Sequence, residues 1–112
     1  MKPNHRFTFA LVAAVVFAAS LPAQAVDVEA AQALAKKSNC MKCHSVSAKK
    51  EGPSFKETAG KYKGQADAEQ KLVTHLTTSP KVKVDGVEEE HDNLKTKNEA
   101  DVRNVAQWIL SQ

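Results

Sequence analysis

Methionine is nearly missing from this sequence: Met1 and Met41 are the only two in 112 residues. Cysteine is as scarce. Cys40 and Cys43 are the whole supply, and they lie in one short motif. A long-range disulfide is therefore excluded as a brace for the fold. Large aromatic side chains are few, with one Trp, one Tyr and four Phe. A domain this small and this poor in apolar bulk needs a staple of another kind. No stretch is read as a half-buried strand. The apolar run from Phe7 to Leu21 has 15 residues, short of the roughly 20 that cross a bilayer as a helix.

That run has a recognisable setting. Lys2, His5 and Arg6 precede it, and Leu21-Pro22-Ala23-Gln24-Ala25 follows it. A basic start, a short apolar stretch and an A-x-A ending describe a secretory signal peptide. Cleavage is expected after Ala25, leaving residues 26–112 as one domain in the periplasm. An uncleaved membrane anchor is the alternative. Removing residues 1–25 takes away Lys2 and Arg6 and no acid, so 14 basic side chains then face 13 acidic ones. A nearly neutral domain without a basic face is not expected to bind nucleic acid.

The remaining chain reads as helices and loops. Val28, Ala31, Leu34 and Ala35 recur at helical spacing, which predicts a helix from Asp27 to about Lys37. Gly52-Pro53-Ser54 is a turn, and Phe55 to Tyr62 a short helix stopped by Gly64. Asp67 is expected to cap a further helix, with Gln70 as its capping-box partner and Leu72, Val73 and Leu76 on its apolar side. Ser79-Pro80 ends it. Lys81 to Lys97 reads as a long loop containing the Asp85-Gly86 turn pair, and a loop of that length is usually functional. Asn98 caps a last helix that buries Val102, Val105, Ala106 and Ile109.

Cys40-Met41-Lys42-Cys43-His44 is C-x-x-C-H, the attachment pattern of c-type haem. Thiols three positions apart on one helical turn match the two vinyl groups of a haem. The adjacent histidine then supplies the proximal iron ligand. One covalent haem c would also fill the middle of a core that lacks apolar bulk. A redox C-x-x-C pair would need a strand–helix unit, and structural zinc would need four ligands. His75 and His91 do not have finger spacing relative to the cysteines.

On these residues the chain resembles the class I c-type cytochromes, in particular the short bacterial c-551/c-552 type. The resemblance spans the helix entering C-x-x-C-H, Gly52-Pro53-Ser54-Phe55-Lys56, Tyr62-Lys63-Gly64 and Trp108-Ile109-Leu110. It implies an all-α small cytochrome c fold wrapped around one haem. It also implies that the Pro53 carbonyl accepts a hydrogen bond from the free ring N–H of His44, which fixes the tautomer. Phe55 is expected near the haem, and Trp108 and Tyr62 in the core, with Trp108 included among the haem-binding residues.

The chain departs from that family at the sixth iron ligand, where a methionine is usual. Met1 leaves with the signal peptide, and Met41 sits between the cysteines on the proximal side. His91 is the expected replacement. It lies 47 residues after His44 and 17 before Trp108, in the loop where the methionine would fall. Asn93, Lys95, Lys97, His75 and an empty sixth site are the alternatives. His75 itself reads as a helix-surface or core-edge residue. Glu88-Glu89-Glu90 beside His91 read most simply as a solvated loop; the functional alternative is that their charge favours ferric haem, raises the pKa of His91 and lets it leave reduced iron.

The expected function is electron transfer in the periplasm by a monomeric carrier that docks transiently on redox partners. It is not expected to be an enzyme, since 87 residues around a haem leave little room for a substrate pocket. A gas-binding or sensor haem protein for nitric oxide, oxygen or carbon monoxide, with a labile distal ligand, is one alternative. The cytochrome subunit of a larger redox enzyme is another. Lys36, Lys37, Lys42, Lys49, Lys50 and Lys56 either form a docking ring or serve solubility. Lys81 and Lys83 are candidates to neutralise the haem propionates.

Overall fold

The computed structural model describes Met1, Pro3, residues 13–18 and residues 25–112. The expected signal peptide and its cleavage sequence thus lie for the most part outside the described residues. The order of elements is α1 (Val28–Lys37), a single 3-10 turn (Cys40–Lys42), α2 (Phe55–Tyr62), α3 (Ala68–Thr77), β1 (Lys81–Val84), β2 (Val87–Glu90) and α4 (Glu99–Leu110). No helix among the described residues is long and apolar enough to cross a membrane.

Helix α1 starts where Asp27 accepts a hydrogen bond from the Ala30 amide at 3.0 Å, and it ends on Lys36 and Lys37. Acid at the start and base at the end both oppose the helix dipole. Ala31 and Ala35 are buried on its inner side. Small residues there let α1 approach α4, whose Val105 and Ala106 are also buried. The Asn104 side chain ties the two helices together. It accepts from the Asp27 amide at 2.9 Å and donates to the Asp27 carbonyl at 2.8 Å. Helices α2 and α3 pack on the same α4, so α4 is the spine of the core.

Helix α2 carries a capping box that the sequence reading did not single out. The Glu57 amide donates to Ser54 Oγ, and the Ser54 amide donates to Glu57 Oε2. Ser54 is buried, so water cannot take its place. Ser54→Ala is expected to cost about 1 kcal/mol and to lower the thermal midpoint by roughly 4–8 °C. A calorimetric scan checks this. The box expected at Asp67 does not form. Asp67 precedes α3 but makes no side-chain cap, and pairs with Lys71 at 3.3 Å instead. Its φ of −99° and ψ of 12° are not the extended values that aim a cap side chain at the helix end.

The main correction lies between α3 and α4. Residues 81–90 form an antiparallel hairpin, not a loop, with Lys81 opposite Glu90 and Val84 opposite Val87. Asp85 and Gly86 both have positive φ, 49° and 81°. That is what a two-residue hairpin turn of the primed type requires. The rest of the helical architecture stands as the sequence reading expects it.

Candidate functional site

The cysteine turn and the loop after it build one wall of the site. The amides of Cys43 and His44 both point back to the Cys40 carbonyl, at 3.3 and 3.0 Å. One tight turn thereby collects Cys40, Cys43 and His44. The chain then folds back on itself: the Gly52 amide donates to the Cys43 carbonyl at 2.8 Å and the Phe55 amide to the Ser45 carbonyl at 2.9 Å. This return brings the Pro53 carbonyl to 2.6 Å from His44 Nδ1, the contact implied by the family resemblance. Gly52 makes the approach possible. A Cβ there would lie 2.6 Å from His44 Cε1 and 2.9 Å from Nδ1.

Phe55 stacks on His44 with ring centres 5.4 Å apart. Trp108 meets the other side of Phe55 edge-on at 5.3 Å. Trp108 is buried in the core behind Phe55 and does not line the cavity. Met41 also packs against the core, away from the cavity wall. Tyr62 is partly buried at the edge of both.

In front of His44 lies a cavity of about 470 Å³, within the ~300–1,000 Å³ usual for cofactor sites. Cys40, Cys43, His44, Pro53, Phe55 and His91 all line it. Leu72 and Leu76 of α3 and Val105 and Ile109 of α4 give it apolar walls. Val82 and Val84, the half-buried positions of β1, line the hairpin side. Both thiols are free. Burial is the main cause that raises the pKa of Cys40, and burial followed by the Glu51 carboxylate raises that of Cys43. A dithiol redox pair has the opposite need, a thiol pKa lowered by its surroundings.

Opposite His44 stands His91. The ring centres are 6.1 Å apart and the ring planes 50° apart. His91 sits directly after β2, where its amide closes the hairpin on the Pro80 carbonyl at 2.8 Å. Its Nδ1 is buried without a hydrogen-bond partner. The Asp92 backbone favours a protonated ring, but no hydrogen bond to Nδ1 forms. Burial comes first among the influences on His91 and lowers its pKa, with the charge of His44 next. The lift that the functional alternative asks of Glu88, Glu89 and Glu90 is thus not found: these side chains are exposed, where water screens them.

The other distal candidates are engaged or remote. Asn93 clips the end of α3, accepting from the Ser79 amide at 2.7 Å and donating to the Thr77 carbonyl at 3.1 Å. Lys95 and Lys97 are exposed and do not line the cavity. His75 lies at the core edge, one of the two positions expected of it. It is half-buried, lines the cavity, and places its ring centre 4.5 Å from that of His91. Its position three residues after Leu72 already put it on the apolar stripe of α3. Burial, ahead of the charges of His91 and His44, lowers its pKa.

Charge at the cavity mouth is mostly acidic. Lys36, Lys37, Lys42, Lys49, Lys50 and Lys56 are exposed, but none lines the cavity. Glu51, Glu57, Glu89, Glu90 and Asp92 do, with Lys61 and Lys83. Lys81 pairs with Glu88 at 3.1 Å, which leaves Lys83 as the hairpin lysine at the mouth.

Comparison with known proteins agrees with this arrangement. The sequence profile of the Cytochrome c family matches residues 28–112. Cytochrome c-552 of Nitrosomonas europaea is 37% identical over 97 residues, covering 85% of this chain and 90% of its own. Cytochrome c-551 of Pseudomonas aeruginosa is 33% identical, covering 83% of this chain and 86% of its own. The crystal structure of the class 1 cytochrome MtoD from Sideroxydans lithotrophicus ES-1 superposes with a TM-score of 0.75 at 52% identity, over 78% of this chain and 97% of that one. Profile, relatives and shared fold make the chain a member of the cytochrome c family, a haem-based electron-transfer protein with one covalently attached haem c.

Proposed function

We propose that the mature protein, residues 26–112 after removal of the signal peptide, is a periplasmic electron carrier whose haem is held between two imidazoles. Cys40 and Cys43 attach the haem, His44 is the proximal ligand and His91 the distal one. The observation that carries this reading is the 6.1 Å between the two ring centres. Two imidazoles sharing one metal ion, each with a metal–nitrogen bond of about 2 Å, have centres about 6 Å apart. The apolar walls and the size of the cavity suit the same occupant.

The bound haem supplies the redox chemistry, its iron gaining and losing one electron. The chain does the rest. The Pro53 carbonyl fixes the tautomer and ring plane of His44 and strengthens it as a donor. Phe55, backed by Trp108, holds the ring from one side. Leu72, Leu76, Val105 and Ile109 keep water from one side of the cavity. An imidazole in place of methionine lowers the reduction potential, because methionine favours the reduced metal.

A gas-binding role needs a vacant or displaceable sixth position. The closeness of His91 to His44 argues against vacancy, so the carrier reading is preferred. His91→Ala tests it. The parent is expected to give low-spin visible and EPR spectra in both oxidation states. The variant is expected to become high-spin and to bind carbon monoxide when reduced. A variant that keeps the parent's low-spin spectrum would show that His91 is not the ligand.

A further inference from the structure

The two imidazoles are supported very unequally. His44 Nδ1 has the Pro53 carbonyl at 2.6 Å, while His91 Nδ1 is enclosed and has nothing. A histidine that ligates a metal through one nitrogen almost always donates its other N–H, and the partner sets ring orientation and ligand strength. A buried N–H without an acceptor is also costly in itself.

The surroundings of His91 offer few acceptors. Asn93 is spent on its clip to Ser79 and Thr77. The Pro80 and Leu76 carbonyls already receive the amides of His91 and Leu94. The Asp92 backbone acts on the His91 ring, but no hydrogen bond to Nδ1 forms. His75 is different. It sits on the rigid α3, shares the cavity wall, and touches the His91 ring with centres 4.5 Å apart and planes 58° apart. Two imidazoles joined by an in-line N–H···N bond of about 2.9 Å have centres about 5 Å apart. The His75 ring is thus within range of His91, and it must reorient to offer a lone pair to Nδ1.

We propose that His75 is the positioning residue of the distal ligand: it accepts the Nδ1–H of His91 and sets the plane of that ring. This rests on His91 being the ligand. His75 would then do on the distal side what the Pro53 carbonyl does on the proximal side. A side chain replaces a backbone carbonyl, so the distal support can be changed by a single substitution.

The experiment compares haem-loaded parent, His75→Phe and His75→Gln. Phenylalanine keeps a packed ring but accepts nothing, whereas the glutamine amide oxygen accepts. In His75→Phe, the slowly exchanging Nδ1 proton of His91 should disappear from the NMR spectrum. The reduction potential should rise, and carbon monoxide uptake by the reduced protein should speed up about tenfold, the lower end of what outer-partner loss does to metal sites. His75→Gln should restore the proton signal and most of the uptake rate.

If His75→Phe matches the parent in all three readouts, the assignment is wrong. Equal changes in both variants would also sink it, since they would mean that ring packing alone matters. The His91→Ala spectrum separates the two levels. A low-spin His91→Ala protein overturns the ligation and this inference together. A high-spin one, with a silent His75→Phe, overturns this inference alone.

Discussion

A chain carrying Cys40→Ala and Cys43→Ala is expected to give up its haem to acidified organic solvent, whereas the parent keeps it in the aqueous phase. The family membership implies covalent attachment, and these two thiols are the only ones in the sequence. The substitution leaves His44 and His91 in place, so haem added to the variant should still bind. What changes is the thermodynamics of holding it. An untethered ligand stabilises the folded state according to its free concentration. A tethered one does so at any dilution. The variant's thermal midpoint should therefore rise with added haem, and the parent's should not. Treated as the loss of a cross-link of roughly 2–4 kcal/mol, the change lowers the midpoint by about 8–32 °C. The apolar walls from Leu72, Leu76, Val105 and Ile109 face water once the haem leaves, which adds to the loss. Haem that stayed with the double variant through extraction would place the attachment elsewhere.

Gly52→Ala is expected to be the most damaging single methyl group in the protein. The added Cβ would meet His44 Cε1 at 2.6 Å, Nδ1 at 2.9 Å and the Cys43 carbonyl oxygen at 3.1 Å. The first two atoms belong to a ring pinned by Pro53 and stacked on Phe55, so the ring has little room to yield. The Cys43 oxygen is held by the Gly52 amide itself. Overpacking of this kind costs about 1–3 kcal/mol. Part of it will appear as a longer His44–Pro53 contact, and so as a weaker proximal donor with a higher reduction potential. Gly60→Ala is the control. Nothing lies within 4 Å of a Cβ there, and an alanine inside α2 should stabilise the helix by up to about 1 kcal/mol. A thermal scan and voltammetry on the two variants would separate a general effect of glycine loss from a specific clash at the proximal ligand. Equal behaviour of the two would refute the clash.

The half of the site closest in sequence was the most legible. Cys40, Cys43 and His44 lie within one turn, so the spacing of the motif decides their geometry, while the Pro53 contact was implied by the family resemblance. The apolar faces of α1, α3 and α4 were readable for the same reason, since helical period survives in a short window. Other parts were less legible. Lys81-Val82-Lys83-Val84-Asp85 does alternate, but two valines among charged residues are a weak strand signal, and β2 is almost all glutamate. Their pairing depends on a turn and on each other, not on burial. His75 was undervalued because a histidine on a helix gives no sign of what stands opposite. Its neighbour His91 is 16 residues away, reached only after a hairpin. Trp108 was expected in the core and also among the haem-binding residues; it is buried in the core behind Phe55, which takes the position on the cavity wall. The Asp67 cap followed a sequence pattern that the backbone at Asp67 does not obey.

The hairpin matters for more than covering one side of the cavity. The residue proposed as distal ligand follows β2 without an intervening loop, so the pairing of the strands decides which way it faces. Side chains alternate between faces along a strand, and a slip of one residue would exchange them. Val82 and Val84 would then turn outward and the histidine away from the cavity that all three line. The Asp85-Gly86 turn, with its two positive φ values, fixes the number of residues between the strands. Lys81 opposite Glu90 and Lys83 opposite Glu88 penalise other alignments. The turn thus works as a ruler. It measures out the chain so that an exposed, mostly charged ribbon delivers the His91 imidazole to the cavity, opposite His44.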